Sequence, residues 1–355
     1  MGFWDQLWRS LISGGDKSRS CGTSKGAGTT GRAATTLLGR EIDESAAAEE
    51  TASERWWTPD DGALSDLVPL ARSVAPAEVL ALDHEFAEHL QSADLRLPTL
   101  PKAAESVLRM LGGTRFSAGQ IADELAKDQV LSAAVLRLAN SVLYSAAGRI
   151  TDLHSAVTRL GNMVLRTVAM QYSLQSAVRS NFARDRILTD IVWNGSLASA
   201  TIMRGLAECL WAHEEEAYLI GLLHDIGNVL VLREVQDQQA FLRYRIGLEA
   251  FEWLCHQHHE KLGRLVAEAW DLPERPKELA AGHHAPVVPG DPLARERSMI
   301  ALTDMIKSML GYATRRSYAL LTAQPAQALG LAESPKLAAF LDRLPEELHG
   351  IKALF

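Results

Sequence analysis

From Asp66 almost to the end of the chain, apolar residues recur every three or four positions, and that spacing restricts the body to helices. Leu67, Val68, Leu70, Ala71 and Val74 begin the pattern, and Val79, Leu80, Leu82, Phe86 and Leu90 carry it past Pro76. Strands would need sustained alternation of β-branched and polar residues, or Asn-Gly and Asp-Gly hairpins between such runs. Neither occurs. The punctuation is helical instead: Ser117 stands before Ile121, Leu125 and Ala126, and Lys127-Asp128 separates that segment from Val130, Leu131, Val135, Leu138 and Ala139. Further breaks are expected at Gly148, Gly161, Asn181, Gly195, Gly227 and Pro273. No fixed-period repeat emerges, which argues against a solenoid. The prediction is an all-α fold.

The N-terminal region differs. Phe3, Trp4, Leu7, Trp8, Leu11 and Ile12 form a short apolar face, so residues 1–12 are expected to be an amphipathic helix docking on a partner, a membrane surface or the protein's own body. Only Arg9 and Lys17 lie near it, so membrane contact would be weak. Residues 13–65 read as a disordered linker: Gly, Ser, Thr and Ala dominate to Thr36, and acidic residues follow from Glu41 to Glu54. Such a stretch buries too little apolar surface to offset its ordering entropy. Residues 66–92 read as a helical lead-in.

Composition narrows the function classes. A net charge of -8, with no basic run longer than Arg315-Arg316, argues against nucleic acid as a partner. The rhythm of Ser117–Ala126 followed by Ser132–Arg137 resembles a helix-turn-helix. Its second helix, however, would offer DNA mainly Ala, Val and Leu, so packing explains it better. No apolar run approaches the ~20 residues needed to span a bilayer. Cys21, Cys209 and Cys255 lack CxxC spacing, and the opening residues lack a secretion-signal pattern. A cytoplasmic location is expected.

The chemistry concentrates in Gly221–Leu230, GLLHDIGNVL, where adjacent His224 and Asp225 interrupt an apolar run. Burying either group unpaired is costly. Two readings stand: the pair holds a metal, or hydrogen bonds satisfy it inside a core. Successive helical residues point about 100° apart, so both reach one ion only from its rim and other helices must complete the site. Cys255-His256-Gln257-His258-His259 resembles a metal cluster by spacing, with Cys255 and His259 at i, i+4. The simpler expectation is that His259 alone faces the core while His256 and His258 are solvated.

Several segments together resemble the HDOD domain, a bacterial signalling module related to HD-type metal-dependent phosphohydrolases. They are Leu97-Pro98-Thr99-Leu100-Pro101; Asp128-Gln129-Val130-Leu131 followed by Leu136–Ser141 and Tyr144; and Ile150–Leu153 leading to Leu160-Gly161. GLLHDIG at 221–227, His259–Gly263, Trp270–Pro273 and His283-His284 complete the order. The resemblance implies a two-lobed helical bundle over about residues 93–290, with 291–355 as a helical extension. It implies candidate metal ligands at His224, Asp225, His259, His283, His284 and Asp304, and signature residues at Asp128, Arg137, Asn140, Ser141 and Tyr144. Asn140 and Ser141 are expected to fix helix crossings rather than touch a ligand, and Arg137 to pair with a carboxylate such as Asp128.

Where HD phosphohydrolases carry a first histidine, in a segment resembling LWxHSLxxA, this chain has Gly195. After His283-His284 it lacks the Gly-Tyr-Pro of cyclic-dinucleotide hydrolases. The expectation is therefore a non-catalytic regulatory protein with a degenerate metal site. It would work by ligand sensing or contact with a signalling partner, a small nucleotide being one candidate ligand. The competing expectation is a phosphohydrolase acting on a nucleotide or cyclic dinucleotide. No cofactor is required by the first reading, while the ligand set leaves Mn, Mg, Fe or Zn open.

Overall fold

In the computed structural model, the described residues are 56–57, 77–92, 95–113, 116–140, 144, 148–179, 186–239, 246–313 and 316–352. The expected terminal helix at 1–12, nearly all of the linker at 13–65, the start of the lead-in and Ser141 lie outside them. Among the described residues the regular structure is helical, as the spacing predicts. No helix there is long and apolar enough to cross a membrane.

The first lobe begins with α1 (Ala77–Ser92) and α2 (Lys102–Gly112). Next comes α3 (Ala118–Leu125), which starts with a reciprocal cap: Ser117 Oγ accepts the Gln120 N–H, and Gln120 Oε1 accepts the Ser117 N–H at 2.9 Å. Helix α4 (Gln129–Ala139) starts at Asp128, whose Oδ1 accepts the N–H groups of Val130 and Leu131, both at 2.9 Å. Leu131, Ala134, Val135 and Leu138 are buried, so the helix-turn-helix rhythm is packing. Helices α2, α3 and α4 all lie against α5 (Leu153–Arg179). Gly161 interrupts α5 at φ +72°, a left-handed backbone that glycine adopts without a Cβ penalty.

The second lobe is built on α6 (Arg186–Leu210), which runs unbroken through Gly195. The expected break there does not occur. A mid-helix glycine costs about 1 kcal/mol relative to alanine, and burial of Trp193, Leu197, Ile202 and Leu206 on the same helix outweighs it. Helices α7 (Glu214–Leu223), α8 (Gly227–Gln239), α9 (Leu248–Ala269), α10 (Glu274–Gly282) and α11 (Ala294–Met309) follow. Helix α7 packs on α6, α9 on both α8 and α10, and α11 on α6. A short α12 (Gln324–Ala328) leads to α13 (Pro335–Lys352), which lies along α6. Helix α1 leans on α9.

Candidate functional site

GLLHDIG is two close helix contacts joined by a turn. A Cβ on Gly221 would lie 2.6 Å from the Ser199 carbonyl oxygen, and one on Gly227 only 1.9 Å from that of His259. The glycines thus let α7 press on α6, and α8 on α9. His224, Asp225 and Ile226 form the turn between, which delivers the first two side chains to the point where α9, α10 and α11 converge.

Asp225 is the hub. Its Oδ2 lies 3.2 Å from His224 Nε2 and 3.1 Å from Lys307 Nζ; its Oδ1 lies 3.7 Å from His259 Nε2 and 3.6 Å from His283 Nε2. Asp304 Oδ1 is 3.4 Å from Lys307 Nζ and 3.8 Å from His224 Nε2. His224, His259, His283 and Lys307 are buried, whereas His284 is exposed at the rim. The structure therefore brings all six predicted ligands together. The atoms of His224, His283 and Asp304 lie within 4.8 Å of one another, as do those of His259, His283 and His284.

The imidazoles share one orientation. His224 Nδ1 faces the Gly221 carbonyl at 2.9 Å, His259 Nδ1 that of Cys255 at 2.7 Å, and His283 Nδ1 that of Leu279 at 2.9 Å. A carbonyl only accepts, so each Nδ1 carries a proton, and the neutral His259 and His283 rings present a lone pair at Nε2. Metal-binding histidines are held by this kind of outer hydrogen bond.

Electrostatics divides the cluster. Burial opposes a charge on His224, but Asp225 and Asp304 overcome it and push the imidazole up to about 9. Burial likewise opposes the Lys307 charge, and the same two carboxylates raise it. Burial would lift Asp225, yet the charges of His224 and Lys307 hold it well below the usual carboxylate range. On the other side burial prevails: the His259 and His283 imidazoles are lowered, and His256 falls to about 4 with its neighbours His284 and His259. One side keeps protons; the other keeps lone pairs.

The family model described as the HDOD domain matches residues 97–286. The chain belongs to the HDOD domain family. Among solved structures it is similar to an HDOD domain protein of unknown function from Geobacter sulfurreducens, at 25% identity and TM-score 0.57, covering 78% of this chain and 98% of that one. It also resembles a proposed metal-dependent phosphohydrolase from Shewanella amazonensis, at 24% identity and TM-score 0.63, over 79% and 99% of the two chains. A third likeness is to a proposed signal transduction protein from Marinobacter aquaeolei, at 22% identity and TM-score 0.52, over 81% and 68%. The last two show the fold alone. Among curated proteins, none matches.

Within the HDOD fold, the signature block of the first lobe is held by internal bonds. Asp128 caps α4 and also accepts a 2.8 Å hydrogen bond from the Tyr172 hydroxyl. Asn140 Nδ2 donates to the carbonyls of Leu136 (2.9 Å) and Ile150 (2.7 Å), while its Oδ1 accepts the Ile150 N–H at 2.7 Å. Tyr144 reaches across to Glu215 Oε1 at 3.3 Å. Arg137 lines a groove of about 800 Å³ with Leu136, Asn140, Arg149, Ile150 and Thr151.

Two expectations are corrected. His258 is not solvated: its Nε2 lies 2.7 Å from Asp83 Oδ1, tying α9 to α1, and His256 is half-buried beside His259 and His284. Cys255 does not pair with His259 through sulfur; its carbonyl orients the ring, and burial pushes its thiol well up. Sequence reasoning missed Lys307. The signal was present as Asp304-Met305-Ile306-Lys307, a lysine one helical turn after a candidate ligand. Both Asp304 and Lys307 lie beyond the family match, on α11.

Proposed function

We propose that this HDOD protein is regulatory, acting by ligand sensing or contact with a signalling partner rather than by hydrolysing phosphoesters. The observation that carries the reading is Lys307. Hydrolysis of the HD type needs metal ions on the carboxylates to polarise a phosphoryl oxygen and generate hydroxide. Here a buried ammonium occupies both carboxylates, at 3.1 Å from Asp225 and 3.4 Å from Asp304. A cation fixed by its own side chain cannot exchange, bind water as a ligand or move with substrate. Gly195, on the α6 helix, supplies no further ligand.

The same packing suits a sensor. Asp225 links the α7–α8 turn to α9, α10 and α11, so anything that alters the hub is felt by all of them. A small anionic ligand such as a nucleotide would find guanidinium partners at Arg137 and Arg149 in the first-lobe groove.

The test is turnover by purified full-length protein with added Mn²⁺, on phosphomonoesters, nucleotides and cyclic dinucleotides, beside His224→Ala and Asp225→Ala. No turnover above the variants' background is expected. Turnover abolished by both substitutions would instead establish the phosphohydrolase reading, which the converging imidazoles favour. Nucleotide binding that survives Arg137→Ala and Arg149→Ala would remove the groove from the scheme.

A further inference from the structure

The lone pairs on the imidazole side of the cluster have no proton to share. His259 Nε2 and His283 Nε2 face each other at 3.3 Å, and both rings have committed their Nδ1 proton to a backbone carbonyl. Two acceptors at hydrogen-bond distance repel unless a cation lies between them. Asp225 Oδ1 adds a third acceptor, 3.6 and 3.7 Å from the same two nitrogens. His284 closes the group from the exposed rim, its ring centroid 4.2 Å from that of His283 and 5.1 Å from that of His259. Its backbone N–H donates to Glu260 Oε1 at 2.8 Å, fixing the segment, and the same carboxylate stands 3.9 Å from His283 Nδ1.

The carboxylate side is complementary and filled. Asp225 Oδ2 and Asp304 Oδ1 face Lys307 Nζ, so the positions where an ion would bridge these oxygens already carry an ammonium. A dication there would meet a fixed positive charge at close range in a buried setting, where like charges are poorly screened.

We propose that the cluster is a single-ion site. One divalent transition metal is held on the imidazole side by His259, His283, His284 and Asp225, and Lys307 stands in for a second ion on the carboxylate side. Three imidazole nitrogens and one carboxylate oxygen select a borderline ion such as Zn²⁺, Co²⁺, Ni²⁺ or Fe²⁺ over Mg²⁺, which prefers an all-oxygen shell. The exposure of His284 gives the ion a way in, and the other two histidines hold it inside the helical body. This deepens the regulatory reading by naming what the centre takes, and rests on that reading only in treating the centre as a receptor.

The experiment is a titration of full-length, chelator-treated protein with Co²⁺ followed by visible absorption, and with Zn²⁺ followed by calorimetry, with turnover assayed on the same samples. The expected result is one ion per chain, with four-coordinate Co²⁺ absorption. His284→Ala, an exposed change that leaves the core intact, weakens binding at least about 10-fold. Asp304→Asn leaves affinity within a few-fold, and Lys307→Met raises the stoichiometry from one to two. Circular dichroism confirms that each variant is folded. Zero or two ions in the unaltered chain overturn the proposal. So does one ion lost in Asp304→Asn but retained in His284→Ala, because the ion then sits among the carboxylates. One bound ion together with turnover keeps the single-ion site and removes the regulatory reading; no ion and no turnover does the reverse.

Discussion

Asp128 and Asn140 in the first lobe are half-buried and His224, His259 and His283 in the second are buried, and the two lobes treat these polar side chains in opposite ways. In the first lobe Asn140 sends its amide hydrogens to two carbonyls and receives the Ile150 N–H on its oxygen. Asp128 is equally occupied, by two N–H groups and the Tyr172 hydroxyl. In the second lobe His259 and His283 turn unprotonated nitrogens toward each other, and the His224 Nε2 is buried without a well-directed hydrogen bond. A satisfied buried network fixes architecture, whereas an unsatisfied one is held in place for something else to complete. On the proposed single-ion reading, the contrast separates a satisfied structural signature from a metal receptor.

The contrast can be broken first at its hub. Asp225→Ala leaves the Lys307 ammonium with Asp304 alone and deprives His224 of its closer carboxylate. Removing one partner of a buried ion pair destabilises by about 3–5 kcal/mol, which urea denaturation in the presence of chelator would read. A change under 1 kcal/mol would mean that water already screens the cluster. Gly227→Ala comes next, because the new methyl group lands on the His259 carbonyl and α8 must move away from α9. Overpacking of this kind costs about 1–3 kcal/mol. The displaced His259 would also lower Co²⁺ affinity. Unchanged binding would show that the ring position does not depend on this contact.

Asn140→Ala sharpens the other side. It strands the N–H and C=O of Ile150 and costs about 1–3 kcal/mol, read as a lower midpoint in the same denaturation series. Metal stoichiometry stays as it is. If Asn140→Ala changed metal binding, the two lobes would be coupled and the distinction between signature and receptor would fail.

Much of this was legible in the chain. Period-three-and-four spacing gives the helices, Ser117 and Asp128 give their starts, and the ordered segments from Leu97 to His284 give the family. All six candidate ligands do converge. Three things were not legible, the first two because they depend on distance across helices. Lys307 shares a site with Asp225 from 82 positions away. His258 finds Asp83 on a helix 175 positions earlier. The backbone partner of each Nδ1, which decides where the lone pairs point, lies within a helical turn, yet only ring orientation reveals it.

Gly195 carries the smallest and most discriminating effect. It occupies the place where the HD resemblance expects a histidine, and it interrupts nothing, since α6 passes straight through it. Unlike Gly227, whose missing Cβ is demanded by a carbonyl, Gly195 has no heavy atom within 4 Å of where a Cβ would stand. Packing therefore does not require glycine there. Gly195→Ala is expected to stabilise the chain by about 0.4–1 kcal/mol, through lower entropy of the unfolded state and better helix propensity. For a chain of this size that is an upward Tm shift of about 1–3 °C. Metal stoichiometry would remain one, because Gly195 is not among the proposed ligands and an alanine methyl there meets no neighbouring atom. A fall in Tm would show that the open space beside Gly195 is used by the fold. A gain in Tm with unchanged metal binding would show that neither the packing nor the proposed metal site requires glycine at this position.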